Sequence, residues 1–270
     1  AAMHSFLTMW TSRIEGLGTF PGDKYNLDMV IEEGAKAADH LLTMAIRALD
    51  YCPPVDLAFG DFLAAMLTAD AETVPDDSRH HYRELIRASF SAYGIDPPAR
   101  AINPKSGNWS AFDPAGEITY GRTHFDSMLH DKEEVFRFVW ENRHALGLDD
   151  KAYTRIESVR PSVRQGPDGF FLRETICEYV QVMRLFGAEV TAALGIERPE
   201  GMPTTQSISA YGGGTLVFDE YGRIKYHIAK PLADGKRQSA RLKYLWENGL
   251  IDLPVMARSR FANLHRCRVS

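Results

Sequence analysis

Through the first hundred positions, apolar residues recur at intervals of three and four, the period of a helix with one greasy face. Met3, Phe6, Leu7, Trp10 and Ile14 make the first such stripe. A longer one runs through Leu27, Val30, Ile31, Gly34, Ala38, Leu41, Leu42, Ala45 and Leu49, with Asn26 placed to cap it and Cys52-Pro53-Pro54 to end it. A third helix is expected after Asp56, with Phe59, Phe62, Leu63, Met66 and Leu67 on its inner side. A fourth follows a cap at Asp76 or Asp77, with Tyr82, Leu85, Ile86, Phe90 and Tyr93 inward and Gly94 as a left-handed stop. The pattern predicts an all-α lobe of about four helices over residues 1–95.

The texture then changes. Pro97-Pro98, Pro104, Gly107, Pro114 and Gly116 mark 96–115 as a linker. Asp131–Leu146 carries the cap and stripe of one more helix, with Val135, Phe138, Val139 and Leu146 expected in a core. From Tyr153 the apolar period drops to two, which predicts strands. The plainest hairpin runs from Gly214 to Ala229 and turns at Glu220-Tyr221-Gly222, where glycine supports a positive φ. Lys236–Trp246 reads as a surface helix. Residues 116–270 therefore form an α+β domain on an antiparallel sheet, and the whole chain is α+β.

Two features of the succession Met44–Ile95 stand out: a helix ending in Arg47-Ala48-Leu49 before the proline break, and a later helix closing on Tyr93-Gly94-Ile95. This order resembles the C-terminal helical lobe of thermolysin-like zinc metallopeptidases, the gluzincins, over about residues 1–95. The resemblance implies a hydrolase of peptides whose metal, base and transition-state histidine lie in an upstream part. It implies for this segment one wall of the cleft, and a peptide substrate for the whole. His4 comes too late in the chain to be the transition-state histidine. The opening agrees with that picture: Ala1 and Ala2 read as the middle of a helix under way, with no cap and no initiator methionine. The expectation is a piece of a longer polypeptide, the alternative being processing or a boundary falling there by chance.

Chemistry within the 270 residues is sparse. A gluzincin needs His-Glu-x-x-His, and none of the nine histidines stands four residues from another with glutamate beside it. His80 and His81 read as a polar helix start. No catalytic residue and no metal ligand is assigned, and zinc is expected only in the missing part. There is no nucleophile elbow and no phosphate loop; Gly212-Gly213-Gly214 leads into a strand and reads as a bend or bulge. Asp50, Asp56 and Asp61 admit a cation site or simple capping and solvation. Cys177 sits in an apolar run and reads as a buried small hydrophobe.

Charge adds one further candidate. The chain carries a net −5, yet residues 221–270 hold 11 Lys+Arg against 3 Asp+Glu, and residues 1–100 hold 8 against 15. Lys236, Arg237, Arg241, Lys243, Arg258 and Arg260 define a basic face fit for a partner. That partner is its own acidic lobe, the missing catalytic part, or, less favoured, nucleic acid, with Tyr244, Trp246 and Phe261 available for stacking. A non-catalytic regulatory module working through this face is the rival reading. Three widely spaced cysteines give no disulfide framework, no apolar run spans a bilayer, and a cytoplasmic setting is expected.

Overall fold

The computed structural model describes residues 1–251, apart from Asp23, Ala115, Arg122, Thr123, 166–168 and Phe170. Within them the chain is α+β, as expected. Helices α1 (Ala2–Glu15), α2 (Leu27–Ala48), α3 (Phe59–Thr73) and α4 (Tyr82–Ser91) come first, with a 3-10 turn at Leu49–Tyr51. Helices α5 (Phe125–Met128) and α6 (Lys132–Glu141) precede strands β1 (Tyr153–Gln165) and β2 (Phe171–Phe186). Helix α7 (Val190–Leu194), strands β3 (Ser207–Phe218) and β4 (Ile224–Lys230) and helix α8 (Gly235–Glu247) complete the order.

The described residues divide into two compact units: 1–182 with 211–231, and 183–210 with 232–251. In the first, the four strands form one antiparallel sheet in the order β1-β2-β3-β4. Its two faces carry separate cores. Ile176, Val217, Tyr226 and Ile228 meet the lobe, where Leu63, Leu67, Met44 and Ile86 are fully or almost fully buried. Cys177, Tyr179, Leu216 and Phe218 meet Val135, Phe138 and Val139 of α6. The sheet is thus the middle of three layers, and its alternating pattern is apolar on both sides.

The lobe and the sheet share a core, so the compact units are drawn differently from a 1–95 lobe and a 116–270 domain. Segment 96–115, expected as a linker, is docked instead. Trp109 is 5% exposed; its backbone N–H donates to Thr68 Oγ1 at 2.8 Å and its indole N–H to Tyr51 O at 2.9 Å. The second unit packs α7 and α8 with Val190, Leu194, Leu232 and Leu242 buried, and Trp246 Nε1 donates to Glu200 O.

Local chemistry explains most boundaries. Asn26 Oδ1 accepts from Asp28 N and Met29 N, capping α2. Asp77 accepts from Tyr82 N and Arg83 N at 2.9 Å each, while the cap position itself is His81 at φ +51°. Gly94 and Gly222 adopt φ +70° and +79°, as their turns require. One cap differs. Asp56 does not start α3; Ala58 occupies that position and its N–H is held by Asp61 Oδ2 at 2.8 Å. A carboxylate at the third helical residue can reach back to the cap backbone, which a residue two positions before the cap does not do here.

Candidate functional site

The most unusual surface is on α2. At 100° per residue, its large or methyl side chains Leu27, Ile31, Ala35, Ala38, Leu42, Ile46 and Leu49 occupy an arc of roughly 100°. All seven are exposed, with Leu27 at 70%, Ile31 and Leu42 at 58% and Ile46 at 59%. The face that α2 buries is the adjoining one, made of Gly34, Ala37, Met44 and Ala48. The stripe read from the sequence splits: Gly34 is buried and Leu41 and Ala45 pack against the core, while Leu27, Ile31, Leu42 and Leu49 are exposed. Small residues turn inward because α1 crosses closely: Trp10 Nε1 donates to Val30 O, and its ring lies 3.0 Å from where a Cβ on Gly34 would stand. At that crossing only a residue as small as Gly34 fits, whereas Met44 is buried further along the same face.

The α1 stripe splits in the same way, with Phe6 and Trp10 packed against the core. On α1, Met3 and Leu7 are 69% and 48% exposed while Ser5 and Met9 are fully buried. Phe59 and Tyr93, both expected inward, are exposed. Monomeric proteins seldom leave long apolar stripes to water, and such a stripe marks a place where something docks.

Behind this face the lobe is fastened by charge. Tyr51 is fully buried and donates to Glu174 Oε2 at 2.7 Å. Arg164 donates to the same hydroxyl oxygen at 2.7 Å, reaches Glu174 at 3.0 Å, and pairs with Asp50 at 2.6 Å. Lys225 bridges Glu174 and Glu72, and Tyr226 Oη donates to Glu72. Arg160 adds Asp50 and Glu178, both at 3.2 Å. Burial first, then neighbouring Glu174, pushes the Tyr51 phenol far up, so it stays a donor. Burial opposes the charge on Arg164, but Tyr51, Glu174 and Asp50 outweigh it and hold the guanidinium above its ordinary value. Every carboxylate here has a cationic or hydroxyl partner. The network therefore reads as a clamp between the first turn after α2 and strands β1, β2 and β4.

Asp50 and Asp61 thus serve ion pairs, the latter to Lys230 at 2.7 Å, and Asp56 lies in a left-handed turn. Among the described residues no group of three or more His, Cys, Asp or Glu side chains is placed to hold a metal ion. The described residues thus offer no ligand set for zinc. Cys177 is fully buried, and burial drives its thiol far above the ordinary range. His80 stacks on Tyr82 at 5.0 Å.

Of the basic face, Lys236 and Lys243 are exposed on α8, and Arg237 and Arg241 are half-buried, with Arg241 donating to Ser209 O at 3.1 Å. Helical geometry puts the two lysines on one side of α8, two turns apart, and the two arginines roughly 100–160° round from them. Arg258 and Arg260 lie outside the described residues.

No helix among the described residues is long and apolar enough to cross a membrane. No protein-family model, curated protein or solved structure matches the chain.

Proposed function

We propose that this chain is the non-catalytic C-terminal portion of a thermolysin-like zinc metallopeptidase, in which its helical lobe supports the cleft and docks the zinc-bearing part. The observation that carries the reading is the uncovered arc of α2. A helix of 22 residues runs about 33 Å, and this one is apolar around roughly 200° of its circumference, twice what a one-sided contact needs. Half is buried by its own fold and half is left for another body. Each Leu or Ile on the arc contributes about 1.5–3 kcal/mol when fully covered, so a partner lying along it is strongly held.

The lobe supplies shape and support in this reading, not reacting groups. The clamp of Tyr51, Arg164, Asp50 and Glu174 fixes the C-terminal end of α2 to the sheet, so the arc is presented by a rigid element. Zinc chemistry belongs to the covering part, and no step is derived from it.

The deciding experiment is the intact mass and metal content of the native polypeptide from its source cell. A polypeptide well above 30.3 kDa carrying zinc supports the reading. A zinc-free species of that mass overturns it and leaves the lobe as a binding module in its own right. Binding-module status would then be tested by partner retention against salt and against charge reversal at Lys236, Arg237 and Arg241.

A further inference from the structure

On the face of the sheet that carries α6, a cavity of about 420 Å³ opens between three walls. One wall is the sheet itself: Pro161 and Val163 of β1 stand opposite Thr175 and Arg173 of β2. Helix α5 forms the second, with Phe125, Asp126 and Leu129. The β3–β4 turn, Asp219 to Tyr221, is the third. The volume falls in the range of small-molecule sites.

These walls are built rather than incidental. Phe125 lies against Gly222, where a Cβ would stand only 2.5 Å from the ring, so α5 and the turn are locked together. Asp219 Oδ1 accepts from Tyr221 N at 2.9 Å and Arg223 N at 2.8 Å, which sets the turn. His124 N donates to Glu134 Oε1 at 3.0 Å and anchors the start of α5 to α6.

The charges sort by wall. Glu174 also borders the cavity, but it is neutralised by Arg164 and Lys225 and hydrogen-bonded by Tyr51 on the lobe face. Asp219 is engaged by the turn's own N–H groups. What faces a ligand is an exposed guanidinium, Arg173, on the sheet wall, and on the other two the carboxylates of Asp126 and of Glu220, the latter also hydrogen-bonded to the Tyr221 phenol. Between them lie apolar or aromatic surfaces, with Val163 and Tyr221 63% and 74% exposed. An arginine at one wall, carboxylates at the others and a greasy floor match a molecule with one anionic end, one cationic end and an apolar side chain.

We propose that this cavity binds a free zwitterionic apolar or aromatic amino acid. Its carboxylate pairs with Arg173, its ammonium group with Asp126 and Glu220, and its side chain rests on Phe125, Leu129 and Tyr221. The proposal does not depend on the peptidase reading, since the cavity lies within this chain and involves no metal.

The test is titration of the whole chain with L-phenylalanine, phenethylamine and 3-phenylpropionate, followed by NMR or calorimetry. L-phenylalanine is expected to bind at least about fivefold more tightly than either singly charged analogue, as two charge-assisted contacts should exceed one. Arg173→Ala should erase its advantage over phenethylamine, with Arg173→Lys retaining part of it. Glu220→Gln combined with Asp126→Asn should erase its advantage over 3-phenylpropionate. All three positions are exposed, so the folded state should survive and can be checked by its unfolding midpoint. Equal binding of the three probes, no binding in the millimolar range, or an affinity indifferent to Arg173 would overturn the proposal.

Discussion

Tyr51 carries more of the tertiary structure than its size implies. Its hydroxyl links Glu174 to Arg164, its carbonyl receives Trp109, and its ring lies 4.9 Å from the Arg164 guanidinium carbon. Tyr51→Phe should cost about 1–3 kcal/mol, because a buried charged acceptor loses a donor; urea unfolding with an unchanged slope is the check. Arg164→Met should cost more, about 3–5 kcal/mol, since Asp50 and Glu174 lose their shared cation in a buried setting. His227 gives a pH signature. Burial lowers its pKa to about 4, and Tyr179 Oη lies 2.7 Å from Nε2. The unfolded chain takes up this proton below an ordinary histidine pKa of about 6.5, and the folded chain only near 4. Stability from His227 is therefore full above the upper value and falls as the pH drops toward the lower one. Replacing His227 with Gln should flatten that part of the pH–stability curve; an unchanged slope would assign the acid sensitivity elsewhere. None of these long-range partners could be read from the sequence. Tyr51 and Glu174 are 123 positions apart, and no local pattern joins them, whereas Asn26 and Asp131 announce their caps within three residues.

At the scale of elements, α2 shows what periodicity does and does not tell. The 3-4 spacing located the helix and its cap, and the proline pair located its end. It did not tell which part of a 200° apolar span faces inward, because the inward side is chosen by how closely α1 can approach. Replacing Leu42 and Ile46 with Glu should leave the stability of this chain within about 0.5 kcal/mol, as exposed positions usually do. If the proposed peptidase reading holds, the same pair should abolish docking of the zinc-bearing part along α2, measured by co-purification. A large loss of stability would mean the arc is already covered. Strands were more legible than the helix faces: the β3–β4 turn at Asp219–Gly222 was visible from its residues. Gly213 was not, and its reason is steric. A Cβ there would stand 2.5 Å from Tyr179 O, so Gly213→Ala should loosen the β2–β3 pairing and lower the unfolding midpoint by several degrees, on the order of 1–3 kcal/mol.

Across the whole molecule, the α+β class followed from the switch of apolar period near Tyr153, but the layering did not. Alternation predicts one buried face, and β2 alternates in a sequence that is apolar or ion-paired on both, with Ile176 toward the lobe and Cys177 toward α6. The proline-rich 96–115 stretch reads as a tether by composition, yet Trp109 nails it to α3 and Tyr51. Added zinc should leave the melting temperature of this chain unchanged, since a metal bound by the native state would raise it. A rise of several degrees would place a metal site inside these residues.

Strand β1 lies at the margin of the sheet and carries Pro161 near its middle, paired across to Thr175. A proline offers no N–H to an incoming strand, and natural proteins use that to keep exposed sheet margins from recruiting copies of themselves. For this chain the consequence concerns solution behaviour at high concentration. With the greasy arc on α2 available and the β1 margin interrupted, sticking between copies should proceed through side chains. It should give small, reversible clusters that dissolve on dilution, and not fibres that grow by adding strands.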